Sequence, residues 1–129
     1  MPYKYRVSPE ERLVYVSGRG EVALLESKDT LLSIVSSAPD PFGFGLVFDL
    51  RDVTSTPYAQ TVHEIAGFLT EHFPHCPGVA IVVSGLEHYR LATTASVVIE
   101  ANGVTAGAFE DVVAAAGWLK SLMSPLESV

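Results

Sequence analysis

Four residues of this chain, His63, His72, His75 and Cys76, bring metal-ligating and nucleophilic side chains near one another, and their spacing suits neither chemistry. The run His72-Phe73-Pro74-His75-Cys76 places no two ligands on one helix face, and no further cysteine or carboxylate completes a four-ligand frame. Neither a metal nor any other cofactor is expected. A thiol beside a histidine acts as a nucleophile only with a positioned base and an oxyanion pocket, and nothing in the sequence supplies the pair. Asp49, Arg51 and Asp52 cluster at the end of an apolar run. Two acids can catalyse together only at a set separation, and Arg51 is expected to pair with one of them.

Three other segments suit binding better than catalysis. Gly18-Arg19-Gly20, Thr54-Ser55-Thr56 with Tyr58 close behind, and Ser84-Gly85 each follow an apolar run and precede a helical pattern. In an open parallel sheet such segments meet outside the carboxyl ends of the strands, where helix N-termini present unpaired N–H groups. Hydroxyls, mobile backbone and Arg19 can there hold a phosphate, a carboxylate or a protein partner. The plainer reading of the same residues is that the hydroxyls cap helices and the glycines make turns. Phe42, Phe44, Phe68, Leu86 and Tyr89 are candidates to line an apolar pocket, or else belong to the core.

The elements that must position these groups are legible from periodicity. Residues 3–7 alternate and residues 12–17 alternate again, across the turn Ser8-Pro9-Glu10-Glu11, as a hairpin does. Gly18-Arg19-Gly20 is expected to stop the second strand. Leu24, Leu25, Leu31, Leu32, Ile34 and Val35 recur at near-helical spacing. Leu46 to Leu50 and Val79 to Val83 are unbroken apolar runs of the kind that fill buried parallel strands. Between them Val62, Ile65, Ala66, Leu69 and Phe73 mark a helix with Thr56 as cap and Pro57 in its first turn. Leu86 to Ala101 is a third helix, Val104 to Ala108 a short edge strand, and about 110–122 a last helix with Val112, Val113, Ala116, Leu119 and Met123 on its buried face and Trp118 as anchor. The order β-β-α-β-α-β-α-β-α predicts an α/β sandwich on a mostly parallel sheet of four or five strands, its first strand antiparallel.

Length and composition fit one such domain, residues 1–123, followed by a loose tail, 124–129. The 129 residues are 48% hydrophobic and 18% charged, enough apolar material for a core. Fifteen acidic residues against eight basic ones give a net charge of -7, which repels nucleic acid and anionic lipid. One cysteine forms no internal disulfide. No secretory signal and no span near the roughly 20 apolar residues a bilayer requires is apparent, so a soluble, cytoplasmic protein is expected.

The element order, with Leu13-Val14-Tyr15-Val16-Ser17-Gly18 and with Leu46-Val47-Phe48-Asp49-Leu50-Arg51-Asp52-Val53 leading into a helix, resembles the STAS fold of anti-sigma factor antagonists, the small stand-alone SpoIIAA-like proteins above all. Val104, Phe109, Ala116, Trp118 and Leu119 resemble that family's last strand and helix. The likeness implies a non-enzymatic regulatory domain whose partner is a protein, such as a kinase or an anti-sigma-like regulator. One departure stands out. Family members carry Asp-Ser-Ser-Gly at the start of the helix after the central strand, where a serine is phosphorylated; the corresponding stretch here, Pro57-Tyr58-Ala59-Gln60, has neither serine nor glycine. Thr54, Ser55 and Thr56 lie one turn earlier. The alternative is a carrier of an apolar, lipid-like or an anionic small molecule, since the architecture is similar to that of lipid-carrying domains. A homodimer through an edge strand is a further expectation.

Overall fold

The computed structural model describes residues 3–21, 24–37, 43–54, 59–73 and 76–123. Its elements are β1 (Tyr3–Ser8), β2 (Leu13–Gly20), α1 (Leu24–Ser37), β3 (Gly45–Val53), α2 (Ala59–His72), β4 (Val79–Val82), α3 (Leu86–Ala101), β5 (Ala106–Phe109) and α4 (Val112–Leu122). The strands form one five-stranded sheet in chain order, β1-β2-β3-β4-β5. β1 pairs antiparallel with β2, from Tyr3 opposite Gly18 to Ser8 opposite Leu13, and every later pair is parallel. This is the architecture the periodicity predicts.

A sheet that grows in one direction through right-handed crossovers puts its connecting helices on one face. Leu31 and Ile34 of α1, Ala66 and Leu69 of α2, and Ala92 and Ile99 of α3 pack there against Val14, Val16, Leu46, Val79 and Ile81. Because the pleat alternates, the intervening residues Leu13, Val47, Ala80 and Val82 face the other way, onto Ala115, Ala116 and Leu119 of α4. Trp118 stacks on Phe109 with ring centroids 5.2 Å apart, fixing α4 beside the last strand.

Several boundaries differ from the expectation, each for a local reason. Gly18-Arg19-Gly20 does not stop β2. Arg19 pairs with Asp52 and Gly20 with Val53, after a register shift that gives β3 one extra residue. Gly18 is there for packing, since a Cβ at that position would lie 2.9 Å from the Tyr3 ring and 3.0 Å from Val53. β5 runs from Ala106 to Phe109, displaced toward the C-terminus. α4 starts at Val112 because the Asp111 side chain caps it, accepting the Val113 N–H at 2.7 Å. That start turns Val113 outward, 79% exposed, away from the buried face expected for it. Leu32 is likewise an exposed position of α1. Side chains 24, 25 and 35, the cap and first turn expected at Thr56 and Pro57, and the tail 124–129 lie outside the described residues.

Candidate functional site

The C-terminal rim of the sheet collects part of the expected site. The Thr54 N–H donates to the Gly20 carbonyl at 2.9 Å, so the segments after β2 and β3 are joined. At the neighbouring strand the Val83 N–H donates to the Phe109 carbonyl at 2.9 Å, and the chain then turns through an exposed Ser84 into Gly85. Gly85 sits at φ 94° and ψ 152°, a conformation open mainly to glycine. It is the N-cap of α3 and brings no side chain to close the helix, so Ser84 does not cap it either. Leu86 follows at 65% exposure, and Glu87 occupies the first turn. An acidic residue there complements the helix dipole and competes with an external anion.

The cations of the rim are engaged or offset. Arg51 grips Asp49 through Nε and Nη2, both at 2.8 Å. The bond to Arg51 holds the Asp49 carboxyl below its ordinary range against a desolvation that raises it. Arg19 is exposed and lies across from Asp52 in the β2–β3 register. This is a rim with a small acidic excess, Asp49, Asp52 and Glu87 against Arg19 and Arg51, and with Thr54, Ser84, Gly85 and Leu86 as its open polar and apolar groups. Ser55, Thr56 and Tyr58 lie outside the described residues.

The apolar candidates do not converge. Phe44 is buried in the core just before β3, at the N-terminal end of the strands, while Leu86 follows β4 at the opposite end. Phe68 and Tyr89 are half-buried against the same core, and Phe68 stacks on His72 at 4.3 Å and takes the Lys28 ammonium 6.0 Å from its centroid. Phe42 lies outside the described residues.

The groups with catalytic or metal-ligating chemistry are also dispersed. Cys76 precedes β4, at the end of the sheet away from Thr54 and Gly85. Its Sγ donates to the Gly78 carbonyl at 3.2 Å, and burial pushes the thiol up to about 11. A thiol so placed stays protonated near neutrality and is a poor nucleophile. His63 is exposed on α2, and His75 lies outside the described residues. Among the described residues no three of His, Cys, Asp and Glu are grouped to hold a metal ion, and no helix is long and apolar enough to cross a membrane.

Sequence reasoning missed one cluster. Glu11, in the β1–β2 turn, meets Lys120 of α4 at 2.8 Å and accepts hydrogen bonds from the hydroxyls of Ser8 at 2.9 Å and Tyr15 at 3.0 Å. Arg6 lies over the Tyr15 ring, 4.4 Å from its centroid. Only the alternation of Arg6 and Tyr15 on paired strands signals it, and the partner on α4 is beyond any local pattern.

Comparison with known proteins bears on the fold. The structure is similar to the crystal structure of an uncharacterized protein of the DUF3478 family, with a SpoIIAA-like fold, from Shewanella loihica PV-4; the TM-score is 0.62, the identity 17%, and the match covers 91% of each chain. The SpoIIAA-like fold is thereby shown. No family model matches the sequence, and no curated protein matches it either.

Proposed function

We propose that the chain is a non-enzymatic interaction domain on the SpoIIAA-like fold, with the C-terminal rim of the sheet as its partner-facing surface. The observation that carries this reading is Leu86, a large apolar side chain 65% exposed in the first turn of a helix with no side-chain cap. An apolar anchor among unsatisfied backbone donors is what a protein surface can cover, since interfaces concentrate their energy in a few desolvated side chains ringed by polar contacts. The pairing of Asp49 with Arg51 and the protonated state of Cys76 favour binding over catalysis. The departure from Asp-Ser-Ser-Gly favours recognition that does not depend on a serine switch at that helix. A carrier of an apolar molecule is less favoured, because Phe44 and Leu86 stand at opposite ends of the strands.

A photo-crosslinking side chain at position 86 captures the partner for identification, and purified partner then measures the interface. Leu86→Asp is expected to weaken binding at least about tenfold, the effect of removing one hot spot, while Val97→Asp on the exposed side of α3 leaves it unchanged. Failure to recover any reproducible protein partner, together with a bound small molecule seen by native mass spectrometry of the purified chain, overturns the proposal.

A further inference from the structure

The sheet has two edges, and they differ in chemistry. β5 is a four-residue edge, Ala-Gly-Ala-Phe, without a charged side chain. β1 has six residues and sends them to two different environments. Tyr3, Tyr5 and Val7 pack against the core under α1, and the hydroxyl of Tyr3 shares a hydrogen bond with that of Ser27 at 2.9 Å. Lys4 and Arg6 project from the opposite face, both exposed. On that face α4 packs on β3, β4 and β5 and on Leu13 at the start of β2, and among the described residues no helix packs on β1.

That uncovered half is the basic part of an acidic molecule. Of the eight basic residues, Lys4, Arg6, Arg19, Arg51 and Lys120 lie on this face, Arg19 because the pleat opposes it to inward-facing Gly18. Of its carboxylates, Asp49 pairs with Arg51 and Glu11 with Lys120, and Asp52 lies opposite Arg19 in the β2–β3 register, on the far side of β2 from β1. Lys4 and Arg6 have no carboxylate partner among the described residues. The remainder of the chain therefore carries more than the whole net charge of -7.

We infer that β1 is a docking edge for an extended acidic segment of a partner protein, which adds to the sheet as a further strand. Main-chain hydrogen bonds along the open edge supply affinity, and alternate side chains supply selectivity. The incoming strand places acidic residues beside Lys4 and Arg6 and apolar residues beside Tyr5 and Val7. A second copy is a poor occupant. Two β1 strands related by a two-fold axis keep their like faces together, so the registers that pair most of the strand set Lys4 opposite Arg6 or Arg6 opposite its own copy, and like charges directly opposite are destabilising. The same charges that keep copies apart thus select an acidic strand. A long polyanion is also disfavoured. Charges act over about 8 Å at physiological ionic strength, so a short segment feels Lys4 and Arg6 whereas a longer one runs onto acidic surface. This surface is separate from the Leu86 rim, and the two readings stand or fall independently.

The test uses the full chain and a short fluorescent peptide alternating glutamate and valine, with a lysine–valine peptide and inorganic polyphosphate as comparison probes. The acidic peptide is expected to bind and to slow hydrogen exchange at β1 amides. Lys4→Glu with Arg6→Glu is expected to weaken it about tenfold, as two cross-strand charge pairs are reversed, and to bring the lysine–valine peptide to the same edge. Lys4→Glu alone gives an intermediate loss and serves if the Arg6–Tyr15 contact proves necessary for folding; Leu86→Asp changes nothing. No binding of the acidic peptide, binding unaffected by charge reversal, protection elsewhere than β1, or polyphosphate binding as well as the peptide overturns the inference. Dimerisation of the unmodified chain through β1, read from exchange protection that grows with concentration, overturns it as well.

Discussion

The two faces of the sheet are built to different standards, and β2 and β3 record the difference residue by residue. Toward α1, α2 and α3 these strands send Val14, Val16, Leu46, Phe48 and Leu50, apolar along their whole length. Toward α4 they send Leu13, Tyr15 and Ser17, then Val47, Asp49 and Arg51, apolar at the N-terminal end and polar at the other. The apolar stretch of the second face ends where α4 stops covering it, and α4 meets the sheet largely through Ala115, Ala116 and Leu119. One face therefore holds the fold together, since each fully buried large side chain contributes about 1.5–3 kcal/mol. The other keeps charge in reach of solvent and of partners.

Cavity-forming substitutions test that division most severely. Leu69→Ala, beneath α2 in the larger core, is expected to cost about 2–5 kcal/mol in denaturant unfolding, the usual range for a fully buried leucine. Leu119→Ala should fall toward the lower end of the same range, about 2 kcal/mol, because α4 is the single helix on its face and meets the sheet largely through small alanines, so among the described residues no second helix hinders its settling into the vacated volume. A larger loss from Leu119 than from Leu69 would break the comparison. Next in size is Gly78→Ala. A Cβ there would sit 2.9 Å from Leu122 Cδ1 and 3.0 Å from Leu119 Cδ2. Leu122 is at the exposed end of α4 and can swing away, but Leu119 is fully buried, so overpacking of about 1–3 kcal/mol is expected. Calorimetry of that variant reads the effect, and no loss of stability would mean that α4 is free to lift off the sheet.

The better-built face was also the easier one to read. Val79 to Val83 and Leu46 to Leu50 announce buried strands by unbroken apolar character, and Ala66 and Leu69 recur at helical spacing, because a helix and a strand that each face a core must repeat with their own period. Ends were harder. Gly18 and Gly20 have the composition of a turn, and only the tertiary contact of Gly18 with Tyr3 and Val53 explains why the strand continues through them. The Asp111 cap was hidden by Glu110, an equally plausible helix start. For the candidate site, sequence pattern sets Thr54, Ser84 and Gly85 at one end of the sheet, where they are found, and Arg51 beside a carboxylate, whereas Leu86 is read there as a pocket residue and not as part of that end. It did not separate Phe44 from Leu86, since both are simply aromatic or aliphatic until strand polarity sets them at opposite ends. The link from Glu11 to Lys120 joins residues too distant in sequence for any period to relate them.

Smaller effects sharpen how α4 is held on its face. Asp111→Ala removes the side chain that accepts the Val113 N–H and is expected to cost about 1 kcal/mol, with Asp111→Asn retaining most of it. Because α4 has this aspartate cap whereas α3 begins at a bare Gly85, the loss should appear as faster amide exchange confined to the start of α4. Exchange that accelerates equally in α3 would show that the two faces open together.

The smallest expected effect is electrostatic and belongs to the second face alone, because the strand residues facing α1, α2 and α3 include no carboxylate. Glu11 is held below its ordinary range first by Lys120, then by the hydroxyls of Ser8 and Tyr15, against a desolvation that raises it. Its folded value thus lies under its unfolded value. Such a group contributes stability that is complete above the unfolded value, about 4.3 for a glutamate, and is lost as pH falls through the lower, folded one. Glu11→Gln should therefore be less stable than the parent at neutral pH, with the gap closing on acidification and narrowing in high salt, since the pair is largely exposed. Asp49, lowered by Arg51, behaves in the same direction, so the gap must be measured between parent and variant rather than read from the parent's acid limb alone. If the gap persists after both carboxyls are protonated, Glu11 holds α4 to the hairpin by shape and neutral hydrogen bonds to Ser8 and Tyr15, and the charge on Lys120 is incidental to the second face.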